Sequence, residues 1–138
     1  MTPDFANAVL DTLLPGDATL PPASQSGIDA AAFAAAHASI FAMIADAAGG
    51  EAAFVAKATD ARTELLQAID CGPDGQAFKA MVAAAIHDYY TGDAVVGALG
   101  WRRGPPQPLG HKLVEADEAT WQRLEKVKRR PRLWRKTP

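Results

Sequence analysis

Apolar residues recur with helical spacing along most of the chain, and Val95-Val96 is the only strand-like pair. The first helix begins at Thr2 and Pro3, a pair typical of helix starts, and ends at Pro15-Gly16. Later apolar segments, rich in Ala, are separated by Gly and Pro. They predict further helices over 28–48, 51–70, 76–90, 94–99 and 117–127.

The spacing within two of these helices predicts their buried faces. The helix over 28–48 is expected to turn one narrow stripe inward, formed by Ile28, Ala32, Ala36, Ile40 and Ile44. The helix over 76–90 is expected to bury Phe78, Met81, Val82, Ala85, Ile86 and Tyr89. Because the middle of the first stripe is Ala, a neighbouring element can approach it closely.

The fold class follows from this series of helices. We predict an all-α protein, a small bundle of four to five helices with an extended, Pro-rich and basic C-terminal arm. Residues 1–99 form the helical domain. Residues 100–138 hold the Pro-rich loop, a short helix and the arm, and are expected to belong to the same domain and to dock a partner.

Charge divides the chain at the same place. With 138 residues and a net charge of −2, the whole sequence looks ordinary. Residues 1–100, however, hold 3 Lys or Arg and 12 Asp or Glu, a net charge of −9, whereas residues 101–138 carry +7. The basic tail is therefore expected to meet the acidic body, an acidic partner, a membrane surface or nucleic acid.

Catalytic motifs are weak in this sequence. Cys71 is the only cysteine, which excludes an internal disulfide and a CxxC metal site. His37 and His87 have no histidine or carboxylate at the spacing of a helical metal site, His87 cannot face its neighbour Asp88, and His111 follows Pro108-Leu109-Gly110 in a loop. We therefore expect no catalytic, cofactor-binding or metal-binding residue, and no enzyme activity of the chain on its own.

The C-terminal tail has the most distinctive residue composition in the chain. Lys126 to Lys136 mixes cations with Leu133 and Trp134. This pattern suits nucleic-acid binding through phosphates and base stacking. It equally suits an arm that binds an acidic protein surface with Trp134 in a pocket, or a solvated terminus.

Two stretches resemble a known family. The first is Leu10-Asp11-Thr12-Leu13-Leu14-Pro15-Gly16-Asp17, followed by Pro21-Pro22-Ala23-Ser24; the second runs from Tyr89-Tyr90-Thr91-Gly92-Asp93 through Leu99-Gly100-Trp101 to His111. Together they resemble the gluconate 2-dehydrogenase subunit 3 family, the small subunit of flavin-dependent sugar and sugar-acid dehydrogenases. The match covers both ends of the chain and leaves the Ala-rich middle unmatched.

The resemblance implies a non-catalytic subunit. Its expected partner is a large flavoprotein of the glucose-methanol-choline oxidoreductase type, which holds the FAD and transfers the hydride. The small subunit would assist folding, flavin loading or export of that partner. The partner's substrate and the participation of a cytochrome subunit stay open, and a small nucleic-acid-binding protein is the alternative function.

On this basis we predict a partner-binding site in the last third of the chain. The expected contact residues are Tyr89, Tyr90, Trp101, Pro106, His111 and Trp134. The expected charge partners are Arg129, Arg130 and Arg132.

The N-terminal residues have no basic region and no twin arginine, so no signal peptide is predicted. No membrane span is predicted either, because no apolar segment reaches the required length. We expect a cytoplasmic protein, or a periplasmic one if an exported partner carries it.

Overall fold

The structure is a computed structural model that describes residues 1–101 and 115–130. All regular structure in these residues is helical, which confirms the predicted all-α class. The chain divides into two units, Met1–Arg103 and Gly104–Pro138, called here the N-terminal and C-terminal units. The α-helices of the described residues are α1 Pro3–Leu13, α2 Ala30–Ala36, α3 Ala38–Ala48, α4 Glu51–Ala56, α5 Thr59–Asp70, α6 Gly75–Thr91, α7 Asp93–Ala98 and α8 Glu118–Lys128.

Helix α1 lies at the centre of the N-terminal unit, against α2, α4 and α5. Its Phe5 side chain is fully buried and meets Phe41 and Phe54 edge-on, at ring-centroid distances of 5.9 and 5.5 Å. Such edge-to-face pairs are favourable because the positive ring edge meets the negative ring face. Three phenylalanines from three helices thus form the middle of a core in which many other positions are Ala.

The predicted helix over 28–48 is wrong as a single element. It is divided at His37 into α2 and α3, which are bent by 96°. In a straight helix, Phe33 and Phe41 would be separated by about 12 Å along the axis. The bend brings their ring centroids to 6.3 Å, so both rings enter one core.

The same bend overturns the middle of the predicted stripe of the second helix, whereas Ile40 and Ile44 are buried as expected. Ala32 and Ala36 are exposed, whereas Phe33 and Ala34 are buried. Asp29 caps the new helix start, since its Oδ1 accepts the N–H groups of Ala31 and Ala32 at 3.1 and 3.0 Å. Burying a phenylalanine excludes more apolar surface from water than burying an alanine, and this decides which face turns inward.

The predicted helix over 51–70 is also two helices, with the break after Ala56. Arg62 of α5 stabilises this break. Its Nε donates to the carbonyl of Phe54 at 3.1 Å, a second guanidinium N–H donates to Val55, and the cation lies 5.6 Å from the centre of the Phe54 ring. These bonds satisfy carbonyls that the end of α4 leaves without helical partners.

Helix α6 confirms the prediction for 76–90, and it buries Phe78, Met81, Ala85 and Tyr89. Val82 is only half-buried, and Ile86 is 42% exposed although its spacing predicted burial. The short helices α7 and α8 agree with the predictions for 94–99 and 117–127 to within a residue or two. Asp117 caps α8 by accepting the N–H of Thr120 at 2.8 Å.

Among the described residues, no single helix has the length and hydropathy of a membrane span. The bent pair α2 and α3 would pass together by length and composition alone.

Candidate partner-docking surface

The two stretches that carry the family resemblance meet in the N-terminal unit. The Tyr89 hydroxyl at the end of α6 donates a hydrogen bond to the carbonyl of Pro21 at 2.6 Å, across 68 positions of sequence. Burial raises the pKa of Tyr89, and the charges of Tyr90 and Asp17 add to that effect. The phenol therefore stays protonated and keeps its role as a donor to the loop that follows α1.

That loop is closed by its own backbone. The N–H of Ala23 donates to Leu14 at 3.0 Å, and the Asp17 carboxylate accepts the N–H groups of Thr19 and Leu20 at 2.6 and 2.8 Å. These two bonds, Leu20 first, lower the pKa of Asp17. The Pro, Gly and Ser content of residues 15–27 predicts an ordered loop, and these bonds confirm it for the part up to Ala23.

A contact between the second stretch and Ser26, two residues beyond the first stretch, requires a glycine. Gly92 lies directly after α6, and a Cβ atom placed on it would stand 2.5 Å from the carbonyl oxygen of Ser26. Ser26 is itself fully buried and donates its hydroxyl to the carbonyl of Ala23 at 2.7 Å. Only a residue without a side chain permits this approach, so Gly92 positions the end of α6 against the loop.

Tyr89 and Tyr90 have different roles although they are adjacent. Tyr89 is 2% exposed, so the structure places it in the core rather than among accessible contact residues. Tyr90 is 43% exposed, and its ring stands edge-on to that of Tyr89 at 5.2 Å. The buried ring thus supports the exposed one.

Tyr90 borders a shallow depression of about 180 Å³, called here the Tyr90 face. Its lining residues come from the end of α1, the following loop and the end of α6: Leu13, Leu14, Pro15, Gly16, Asp17, Leu20, Tyr89 and Tyr90.

The Tyr90 face continues along α6. Val82, Ile86 and Tyr90 recur every four residues, which places them on one side of the helix. Leu13 is shared with a second groove of about 450 Å³ between α1, α5 and α6, where Val82 also lies. An apolar surface thus runs along the outer side of α6, and the exposed side chain of Ile86 belongs to it.

Trp101 is the most exposed aromatic residue of the described N-terminal unit, at 64%. Its backbone is nevertheless fixed, because its N–H donates to Val96 and that of Gly100 donates to Gly97, both at 3.0 Å. Gly100 has a φ of +70°, and this pair of bonds is the Schellman motif that ends many helices. The Trp101 ring is therefore exposed on a backbone that is fixed at a defined position after α7.

The remaining predicted site residues divide into two groups. Arg129 and Arg130 follow α8 in the C-terminal unit and are exposed. Pro106, His111, Arg132 and Trp134 lie outside the described residues.

Three exposed apolar residues of α8 were missed by the sequence analysis: Trp121, Leu124 and Val127. Their spacing of three residues was the available signal.

The described histidines form no catalytic arrangement. His37 lies at the break between α2 and α3, with its ring 4.6 Å from that of Phe33, and His87 is exposed on α6. A groove of about 570 Å³ brings His37 near Asp88, but Asp29 at its edge is engaged in capping α2. Within residues 1–101 and 115–130, no three His, Cys, Asp or Glu side chains are placed to hold a metal ion.

No protein-family model, curated protein or solved structure matches this chain.

Proposed function

We propose that this chain is a non-catalytic subunit of an FAD-dependent sugar or sugar-acid dehydrogenase. In this proposal it binds and stabilises a catalytic flavoprotein of the glucose-methanol-choline type, as the family resemblance implies. One observation carries the proposal. The two stretches behind the resemblance, far apart in sequence, are joined by the hydrogen bond between Tyr89 and Pro21. Gly92 of the second stretch also closely approaches Ser26, two residues beyond the first stretch.

The exposed aromatic residues at the end of α6 and after α7 support a role in binding. The inner residues of this region are engaged in holding α6 against the loop, which leaves Tyr90 and Trp101 as accessible rings on fixed backbone. Large aromatic side chains on rigid supports are typical centres of protein interfaces, because they bury much area while losing little conformational freedom. Tyr90 and Trp101 are the proposed contacts within the N-terminal unit.

The chemistry of the complex is assigned to the partner. The FAD, the substrate site and the hydride transfer belong to the flavoprotein in this proposal, and the present chain supplies surface only. Covering an apolar region of the flavoprotein would stabilise its folded, flavin-loaded state by mass action.

The experiment is co-expression with a flavoprotein of the glucose-methanol-choline type from the same genome. The two chains are run together and separately on size exclusion, with absorbance read at flavin wavelengths. We expect a yellow complex of both chains, and a flavin-poor or insoluble large subunit when it is expressed alone. A large subunit that is soluble, yellow and indifferent to this chain would overturn the proposal.

Matched variants test the surface itself. Tyr90→Ala is expected to weaken the complex by about tenfold or more, the usual range for a central aromatic contact. Asp88→Ala is the control, because Asp88 is also exposed on the end of α6 but lines the groove beside His37 instead. Equal affinities for both variants would remove the Tyr90 face from the proposed interface.

A further inference from the structure

Helix α8 has two distinct sides. Trp121, Leu124 and Val127 follow each other at spacings of three residues, which places them on one side of the helix. All three are exposed, Trp121 by 53%. A helix of 11 residues is only marginally stable in water through its own propensity and capping, so an apolar environment over this side would stabilise it further.

Cations follow this apolar side toward the C-terminus. Residues 123–130 contain five Lys or Arg and one carboxylate, Glu125, which pairs with Lys128 at 2.8 Å. Three more cations follow in the sequence of residues 131–138. Carboxylates, by contrast, gather at the start of α8, where Asp117 is the helix cap. The positive charge is therefore concentrated at one end of an amphipathic helix.

We propose that α8 and the cations of residues 123–130 bind the surface of a bilayer that contains anionic phospholipids. The headgroup phosphates would pair with Arg129, Arg130 and their neighbours. Trp121 suits the boundary between headgroups and acyl chains, because its ring is apolar and its indole N–H is polar. Clusters of four to eight Lys or Arg on an amphipathic helix are typical of binding to anionic lipid.

Two other occupants fit the same helix less well. Nucleic acid would pair with the cations but would leave Leu124 and Val127 in water. A groove in a protein would require a matching shape, whereas a bilayer requires only positive charge beside an apolar side. The charge of −9 on residues 1–100 repels any polyanion and so opposes binding by the cations alone. Insertion of the apolar side of α8 into a bilayer adds a hydrophobic attraction, which salt does not screen.

This inference does not depend on the dehydrogenase partner, and its test uses the full chain alone. Binding is measured by co-sedimentation with vesicles of phosphatidylcholine, or of phosphatidylcholine and phosphatidylglycerol in equal parts. We expect sedimentation with the anionic vesicles only, weakened at high salt but not abolished. Hydrogen exchange of residues 118–128 should slow when those vesicles are added.

Variants of the cations and of the apolar residues of α8 separate their contributions to vesicle binding. Since a cation near an anionic surface is worth about a fivefold change in affinity, Arg129→Glu with Arg130→Glu should weaken binding by well over tenfold. Trp121→Ala with Leu124→Ala should weaken it by about tenfold or more, because apolar area no longer enters the bilayer. Gln122→Ala, on the opposite side of α8, should change it by less than about twofold.

Three results would overturn the inference. The first is no sedimentation, or equal sedimentation with both kinds of vesicle. The second is binding that depends on Arg129 and Arg130 but not on Trp121 and Leu124. The third is displacement from the vesicles by duplex DNA at equal phosphate concentration, which would indicate a nucleic-acid-binding helix. Circular dichroism of each variant confirms that the N-terminal unit stays folded.

Discussion

The N-terminal unit and helix α8 are helical for different reasons. In the N-terminal unit, Phe5, Phe41 and Phe54 come from three helices and are fully buried against each other. In α8, every described residue is exposed, and the helix has its cap at Asp117 and the ion pair between Glu125 and Lys128. One region is held by burial of apolar area, and the other by local bonds near its ends.

This difference explains where helix boundaries can be read from sequence. The ends of α8 are set by groups within a few positions of each other, and the prediction was accurate there. The breaks at His37 and after Ala56 depend on what lies on other helices. Tertiary packing, which outweighs local helix propensity, decided both.

The largest effect is expected at the centre of the core. Phe5→Ala should lower the free energy of unfolding by about 3–5 kcal/mol, because it removes buried area and two edge-to-face ring contacts. Chemical denaturation measures the change. The matched change in the other region, Trp121→Ala, should alter the same quantity by less than about 0.5 kcal/mol. Similar losses for both variants would contradict the distinction between the two regions.

Gly92→Ala is expected to be next in size. The new Cβ would collide with the carbonyl of Ser26, and such overpacking costs about 1–3 kcal/mol. Gly97→Ala is the control, since its Cβ would meet no atom within 4 Å and alanine favours a helix. The melting temperature should therefore fall for Gly92→Ala and rise slightly for Gly97→Ala. Equal shifts would show that the close approach is not a constraint.

Tyr89→Phe should lower the free energy of unfolding by about 1 kcal/mol, because the half-buried carbonyl of Pro21 loses its donor. Tyr90→Phe removes a hydroxyl from an exposed ring and should change little. Denaturation of the two variants side by side measures the difference. A loss for Tyr90→Phe as large as that for Tyr89→Phe would reverse the roles given to these rings.

Asp117→Ala should weaken α8 by about 1 kcal/mol, since the N–H of Thr120 loses its acceptor. The effect should be local: hydrogen exchange accelerates over residues 118–128 while the melting temperature of the N-terminal unit stays unchanged. Asp117→Asn should behave like the wild type, because asparagine caps equally well. A fall in the melting temperature with Asp117→Ala would contradict the local character of α8.

The smallest expected effect is a pH dependence from the loop after α1. The pKa of Asp17 is lowered in the folded state from 3.8, so the unfolded chain takes up the proton first as the solution is acidified. The stabilisation is complete above pH 3.8 and is lost as pH falls through the folded pKa. Asp17→Asn should flatten the acid limb of the stability curve. An unchanged limb would mean that this loop adds nothing to acid sensitivity.

The candidate site was predictable only in part. Tyr90 and Trp101 were named from the sequence, and the structure places both on the surface. Tyr89 was named with them as a contact residue, yet it lies in the core, where the helical spacing over 76–90 had also placed it. Ile86 was expected inside for the same reason, and no pattern within α6 could show that α1 and α5 leave it exposed.

The sequence by itself determined the helical class, the ends of α1, α6 and α8, and the contrast between an acidic body and a basic tail. These properties depend on spacing, capping residues and charge counts, which act over a few positions or simply add up. Only the tertiary structure decided the bend at His37, the pairing of Tyr89 with Pro21, and which rings stay exposed. Those features join residues far apart in the chain, and their energies depend on which surfaces become buried together.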